Sequence, residues 1–348
     1  MSDPFLAVGH AALAPLSWVY EVAVRARNRR FDRVGATWRA GVPVVSVGNL
    51  VVGGTGKTPI VAWLAARLLA DGTRPAIVSR GYGGRAGRGP LLVSSGGGPQ
   101  CSASLSGDEP YLLAQRVPGA IVVVGADRYA GAELARRSGA SVVLLDDGFQ
   151  HRRLARDLDI VLLDAVRPLG NGRLLPRGPL REPVDALRRA DVVVATRADT
   201  SFDPAEIRRI VAAHRPGIAV VRSSHRRIGF VDLDGRMVHA PRRAAAFSGI
   251  ARPAAFRADL EAEGVEVVTA RTFTDHHAYT TREMIALCDA ARASGTQLVT
   301  TEKDLARLSG ALLPRDAEAP IALRIEAVIH DPEPLVDAVA RALARRAA

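Results

Sequence analysis

The sequence predicts an α/β chain built on a doubly wound, mainly parallel sheet and followed by a smaller α/β unit. Three observations predict it. Short apolar runs recur along the first half of the chain, separated for the most part by helical patterns: PVVSVGN, PAIVSRG, AIVVVGA, SVVLLDD, DIVLLDA and DVVVATRAD. Strands at this spacing pair in parallel through right-handed crossovers. Runs such as Val142 to Leu145 are apolar at every position rather than at alternate ones, which suits strands covered on both faces. The texture then changes at RIGFVDLDGRMVH, Arg227 to His239, which alternates in period two about Asp234-Gly235, a favoured hairpin turn.

Taken in order, the elements begin with PFLAVGHAALAPLSWVYEVAVRARNRR, apolar from Phe5 to Val24 except for His10, Pro15, Ser17 and Glu21, and closed by Arg25, Arg27, Arg29 and Arg30. A spanning helix needs about 20 mostly apolar residues, and a secretory leader carries its charges before the apolar run. Two readings stay open. In one, the helix lies in a membrane interface, with Leu13, Leu16, Trp18, Val19 and Tyr20 toward acyl chains and the arginines toward anionic headgroups. In the other it packs on the domain as an ordinary first helix. Helices are then expected from about Thr58, from Glu109 to Arg116 and from Ala130 to Arg137, with RGYGGRAGRGP and SSGGG as loops. Beyond the hairpin, AAAFSGI, EVVTARTF, QLVTTEKD and IALRIEAV read as strands interleaved with helices, the last being PLVDAVARALARRA. The expected division is therefore an N-terminal helix over residues 1–30, a core domain over 31–225, and a β ribbon acting as a hinge with a smaller domain over 226–348.

Composition bounds the chemistry. The chain has 348 residues, 48% hydrophobic and 24% charged, which is a globular balance. Cys101 and Cys288 are too few for a disulfide framework or a zinc cluster. The net charge of +11 predicts attraction to something acidic, whether nucleic acid, anionic lipid or a phosphorylated substrate. No helix-turn-helix, aromatic strand motif or zinc spacing supports nucleic acid. Of 47 basic residues only Lys57 and Lys303 are lysines.

Lys57 lies in SVGNLVVGGTGKTP, Ser46 to Pro59, where a strand runs through a glycine-rich turn into a helix. The general phosphate-loop pattern G-x-x-x-x-G-K-[ST] asks for glycine at 51, and this chain has valine. The part nearest the helix is intact. Gly53, Gly54 and Gly56, with Thr55, let backbone N–H groups turn toward phosphate oxygens; Lys57 supplies a compact ammonium and Thr58 a hydroxyl for Mg²⁺. The core is thus expected to be P-loop NTPase-like, binding a nucleotide's phosphates with Mg²⁺. Such a site needs a carboxylate at a neighbouring strand end, and Asp146 and Asp147 in SVVLLDDGFQ are preferred over Asp164 in DIVLLDA because of the doublet and the polar residues after it.

Asp108 in GDEPYLLA either caps a helix or takes a proton from an acceptor hydroxyl. FTDHHAYT places Asp275, His276, His277 and Tyr279 in one loop; it lacks a third ligand at metal spacing, and neighbouring histidines point apart. Thr196 to Asp199, TRAD, is a weak likeness to the base-reading N-K-x-D of GTPases, which keeps a nucleotide-dependent switch as a rival class.

Together VGNLVVGGTGKTP, SRGYGG, GDEPYLLA, DDGFQHRRLARDLDIVLLDA, GNGRLLPRGPLREP, FSGIARP, FTDHHAYT and TTEKD resemble the tetraacyldisaccharide 4'-kinase family of lipid A biosynthesis over nearly the whole chain. Within that family's V-G-G-[ST]-G-K-T loop Val51 is no departure, whereas Arg177 stands where a smaller residue is expected. The resemblance implies transfer of the ATP γ-phosphoryl group to the 4'-hydroxyl of an acylated glucosamine disaccharide 1-phosphate at the cytoplasmic face of a Gram-negative inner membrane, with no obligate protein partner. It implies Asp108 as general base supported by His276, Lys57 on the β/γ-phosphates, and Thr58, Asp146 and Asp147 around Mg²⁺. Glu109, Arg128 and Gln150 follow by position in matching motifs.

Overall fold

The computed structural model describes residues 12–347 except 34, 36, 88, 199–201, 309–311 and 315–316. The apolar residues 5–11 of the expected interface helix, and Asp199 of TRAD, therefore lie outside the described residues.

The first lobe alternates strand and helix as its apolar runs require: α1 (Ala14–Phe31), β1 (Val44–Asn49), α2 (Lys57–Ala70), β2 (Pro75–Ser79), β3 (Leu91–Ser95), α3 (Ala103–Ser106), α4 (Asp108–Arg116), β4 (Ile121–Val124), α5 (Arg128–Arg137), β5 (Val142–Asp146), β6 (Leu158–Asp164), β7 (Val192–Thr196) and α6 (Ala205–Ala212). β8 (Ala219–Val231) leaves this lobe for the second, which holds β9 (Met237–Val238), β10 (Arg243–Ser248), α7 (Pro253–Ala262), β11 (Glu266–Thr272), α8 (Thr281–Ser294), β12 (Gln297–Thr301) and α9 (Glu302–Arg307). β13 (Ile321–His330) and α10 (Glu333–Ala347) return to the first lobe.

One sheet runs through both lobes in the order β11-β10-β12-β13-β8-β7-β6-β1-β5-β2-β4-β3, with β9 hairpinned onto β8. Pairing is parallel except at β3/β4, β8/β9 and β13/β8. The β13/β8 pair, from Ala322↔Val231 to His330↔Arg222, decides the layout. β7, β6 and β1 run parallel to β8, toward the second lobe; β12 and β10 run parallel to β13, toward the first. Strand C-terminal ends of the two lobes consequently face each other, and ligands of open α/β sheets bind at such ends.

The strand interiors explain why this sheet forms. Val142, Val143, Leu144 and Leu145 are fully buried, as their unbroken apolar run requires, each contributing about 1.5–3 kcal/mol of burial. Leu64 of α2 and Leu113 of α4 complete one face of the core, and Phe149, Leu163 and Leu187 part of the other. Two local features differ from the expected division. The boundary at 225/226 falls inside β8, and the ribbon between lobes is β8 with β13 rather than the Arg227–His239 hairpin alone. The last helix, counted with the second domain in sequence, sends Leu335, Ala338, Val339 and Ala342 into the first-lobe core. Its apolar face has the same 3.6-residue period whichever lobe it covers, so pattern alone cannot place it.

Candidate active site

β1 ends at Asn49; after a bend at Leu50, Val51 bridges to Leu180 and buries its side chain beside Phe149 and Leu174. The Val52 N–H donates to Pro179 O (2.8 Å) and the Arg181 N–H to Leu50 O (2.7 Å). A β-branched residue suits that strand-like pairing, which accounts for valine where the general pattern has glycine. The turn proper starts at Gly53. Gly56 has φ +79° immediately before α2, a left-handed position that favours glycine. No atom lies within 4 Å of where a Cβ would stand on Gly53 or Gly54, so this backbone is open to a ligand. The Asn49 amide donates to Val51 O (2.8 Å) and the Thr55 hydroxyl (2.9 Å), while Lys57 Nζ donates to Asn49 Oδ1 (3.3 Å).

Lys57 also stands 3.4 Å from Asp147, which Arg181 holds at 2.7 Å. Burial opposes the charge on Asp147, but Lys57 and Arg181 keep its pKa below the usual value. Asp146 is different. It is buried; one carboxylate oxygen accepts from Ser79 Oγ (3.2 Å) and the other, Oδ1, has no partner. Burial, then Glu109 and Asp147, push its pKa up to about 7. The rival Asp164 is spent on structure, bound by Arg197 and by Arg252 from the second lobe (2.9 Å). Arg197 in turn donates to Gly54 O (3.2 Å).

Glu109 opens α4 beside Asp108. Gly107 before them has φ +92° and a would-be Cβ 2.7 Å from Tyr82 O, so only glycine fits the approach that aims Asp108. The helix-cap reading does not hold as such: the N-cap of α4 is Gly107, and Asp108, the first residue of the helix, accepts the adjacent Glu109 N–H through Oδ1 (2.9 Å). The other, Oδ2, accepts from Arg307 Nε (2.9 Å) and lies 3.2 Å from His276 Nδ1. Burial works against its charge, yet His276 and Arg307 hold Asp108 far below the ordinary carboxylate range. The hydrogen bond to Asp108 raises the pKa of His276 above its usual value against the effect of burial. The two histidines do diverge: His277 turns to Glu283 (3.1 Å) and stacks on Phe273.

Gln150 donates from its amide to Asn49 O (2.8 Å), which ties the segment after the aspartate doublet to the phosphate loop. Arg128, buried at the start of α5, donates to Gly125 O (2.6 Å); burial lowers its pKa to about 10 although Asp146 and Asp147 act oppositely. Arg177 engages only through its carbonyl among these contacts, which accepts from Asn171 Nδ2 (3.1 Å).

Three groups escaped the sequence reading. Lys303 pairs with Glu109, Arg307 with Asp108, and Arg181 with Asp147. Lys303 had a signal, being one of two lysines in an arginine-rich chain. Arg181 lay within the motif GNGRLLPRGPLREP without being singled out, and Arg307 had no signal among so many arginines.

The geometry has relatives. A family model for tetraacyldisaccharide-1-P 4'-kinase matches residues 9–344. The chain is similar to tetraacyldisaccharide 4'-kinases of Anaeromyxobacter sp. (strain Fw109-5), 46% identical over 96% of this chain and 92% of the relative. It is also similar to that of Geobacter metallireducens, 44% identical over 96% and 98%. Among solved structures, the "apo" form of LpxK from Aquifex aeolicus in complex with ATP superposes with a TM-score of 0.79 at 35% identity, covering 96% of this chain and 99% of the other. With a glycine-rich Gly53–Thr58 loop, a buried Asp108 in the same lobe gripped by two residues of the second lobe, and a match spanning nearly every described element, the chain belongs to the tetraacyldisaccharide 4'-kinase family.

Proposed function

We propose that this family member phosphorylates the 4'-hydroxyl of a tetraacylated glucosamine disaccharide 1-phosphate from ATP, giving the 1,4'-bis-phosphate of lipid A biosynthesis, and that the cleft between strand ends is where it does so. The observation that carries the reading is that Asp108, gripped by His276 and Arg307 of the second lobe, and Asp146, whose charge Lys57 of the Gly53–Thr58 loop offsets, both interact with the ammonium of Lys303.

In the transfer, the acceptor oxygen forms a bond to the γ-phosphorus as the bond to the β,γ-bridging oxygen breaks. The electron pair leaves on ADP, and the acceptor proton passes to Asp108. A carboxylate held this acidic is a weak base, but a loose phosphoryl transition state needs alignment more than early deprotonation. Orienting the hydroxyl is therefore the main task of Asp108, and His276 fixes the carboxylate. Lys57 and the loop N–H groups neutralise the β/γ-phosphates. The donor set fits a divalent cation: Asp146 keeps an unpartnered buried oxygen in an acidic pocket, with Asp147 and Thr58 as further oxygen donors. Among the described residues no group of three His, Cys, Asp or Glu side chains forms a metal cluster; Asp146, with Asp147 and Thr58, would hold the ion jointly with the bound nucleotide. Mg²⁺ there would offset phosphate charge.

α1 supports attachment to a bilayer surface. Ser17, Tyr20 and Arg27 bind the 174–182 loop, whereas Leu16, Trp18, Val19 and Val22 face outward, exposed by 48–67%. Among the described residues no helix is long and apolar enough to cross a membrane. An outward apolar stripe followed by arginines fits a helix lying in the interface at the cytoplasmic face of the inner membrane, where an acylated acceptor resides.

Incubation with Mg-ATP and the detergent-dispersed disaccharide 1-phosphate should yield the bis-phosphate, read by mass spectrometry. ATP or GTP hydrolysis indifferent to the lipid, without that product, would instead favour a nucleotide-dependent switch.

A further inference from the structure

Both lysines of the chain converge on this cleft. Lys57 comes from the phosphate loop of the first lobe and Lys303 from α9 of the second, where its ammonium pairs with Glu109 next to Asp108. Elsewhere the chain uses arginine for its remaining 45 basic positions, counted as 47 less two. Arginine serves for surface charge, ion pairing and bidentate contacts, but it cannot reproduce a compact, three-donor point charge on a flexible stem. A lysine kept in such a chain marks a position where that compactness matters.

The surroundings of Lys303 point the same way. Its neighbours on α9 hold the helix in place: Glu302 binds Arg116 of α4 and Arg324 of β13 (2.9 Å), and Arg307 binds Asp108, Asp304 (2.7 Å) and Gly249 O (3.1 Å). Tyr279 and the Gly249 N–H also bind Asp304, at 2.9 and 3.1 Å. With docking of the lobes secured by these contacts, the Lys303–Glu109 pair is surplus to it. The pair is also less enclosed than its neighbours, with the Lys303 side chain 32% exposed against 7–10% for Glu302, Arg116 and Arg307. Its ammonium interacts electrostatically with Asp108 and Asp146 as well as with Glu109.

We propose that Lys303 is a second phosphate-directed cation, carried by the second lobe, which swings from Glu109 onto the γ-phosphoryl oxygens of bound ATP and stabilises them during transfer. The inference rests on the kinase reading above. Lys57 then neutralises the phosphate chain from the loop side and Lys303 from the acceptor side, so that full charge neutralisation requires both lobes. Glu109 is the resting partner that keeps the ammonium charged and near when ATP is absent.

The test compares wild type, Lys303→Ala and Lys303→Gln by steady-state kinetics with the disaccharide 1-phosphate, and by equilibrium binding of Mg-ADP and a non-hydrolysable Mg-ATP analogue. Thermal unfolding screens each variant for an intact fold, and the length-matched Lys303→Gln carries the test if the alanine variant does not fold. The expected result is a loss in kcat of about 100-fold, the scale of one transition-state donor. Affinity for the ATP analogue should fall while Mg-ADP affinity stays at the wild-type value, because only the former has a γ-phosphate. Wild-type kcat in a folded variant overturns the proposal, as does an equal weakening of both nucleotides, which would make the residue a latch between lobes. Failure of the wild-type enzyme to make bis-phosphate would overturn the kinase reading itself, a separate outcome.

Discussion

The phosphate loop and the Asp108 cluster are built in opposite ways. The loop is contiguous: Thr55 and Lys57 each bond to Asn49 within nine residues, on backbone that α2 and β1 already position. The Asp108 cluster is assembled from afar, since His276 and Arg307 lie 168 and 199 positions along the chain. A contiguous site survives movement of the lobes, and an assembled one exists only while they are docked. On the roles proposed above, nucleotide capture would be separable from chemistry, which would be reserved for the docked state.

That contrast can be broken by substitution. Asp108→Ala should have the largest effect, a fall in kcat of about 10²–10⁴ as for other lost acid–base groups, while calorimetric Mg-ATP binding persists. If binding vanished with activity, the two regions would not be separable. Lys57→Ala should lower kcat by about 10²–10³ and weaken ATP binding too, because it acts from the contiguous side. Near-wild-type nucleotide affinity would deny the loop its role.

His276→Ala sharpens the comparison by loosening Asp108 without removing it, and a loss of about tenfold in kcat is expected, below the full acid–base contribution. A pH dependence follows from the same contact. His276 titrates higher in the folded chain than in the unfolded one, so its ion pair with Asp108 is intact below the ordinary histidine pKa of about 6.5 and is lost as pH rises through the elevated value. Asp108 stays ionised throughout that window because its own pKa is depressed. Protease protection of the lobe junction should therefore weaken on the alkaline side in wild type and be flat in His276→Ala. The smallest effect concerns neither region: Trp18→Ser on the outward face of α1 should reduce partition onto anionic vesicles about tenfold, the equivalent of about 1.4 kcal/mol of apolar contact, with soluble-nucleotide binding unchanged.

The same contrast explains how much was legible beforehand. The strands of the sheet core could be read from unbroken apolar runs, and Gly53 to Thr58 from one short stretch whose chemistry is local. β3 could not, since LLVSS at the edge is half polar and follows a glycine-rich loop. Asp146 could be preferred over Asp164 by its doublet, but the decisive reason is tertiary: two arginines from other segments neutralise Asp164, while Asp146 keeps an unpartnered oxygen. Capping and proton acceptance at Asp108 could not be told apart in sequence; in the structure Gly107 is the N-cap, and it is the second lobe that engages Asp108 Oδ2.

By itself the sequence determined the α/β class, the glycine-rich turn before α2 and the carboxylates ending β5, which depend on periodicity and on residues close together along the chain, and its motifs carried the resemblance to the kinase family. The tertiary structure decided that β13 runs antiparallel to β8, that strand ends of both lobes consequently meet, and that α10 crosses back to the first core. It also decided which of many arginines and which second lysine reach the site. Those outcomes turn on which distant segments share a small volume, and side-chain charge alone carries no information about distance.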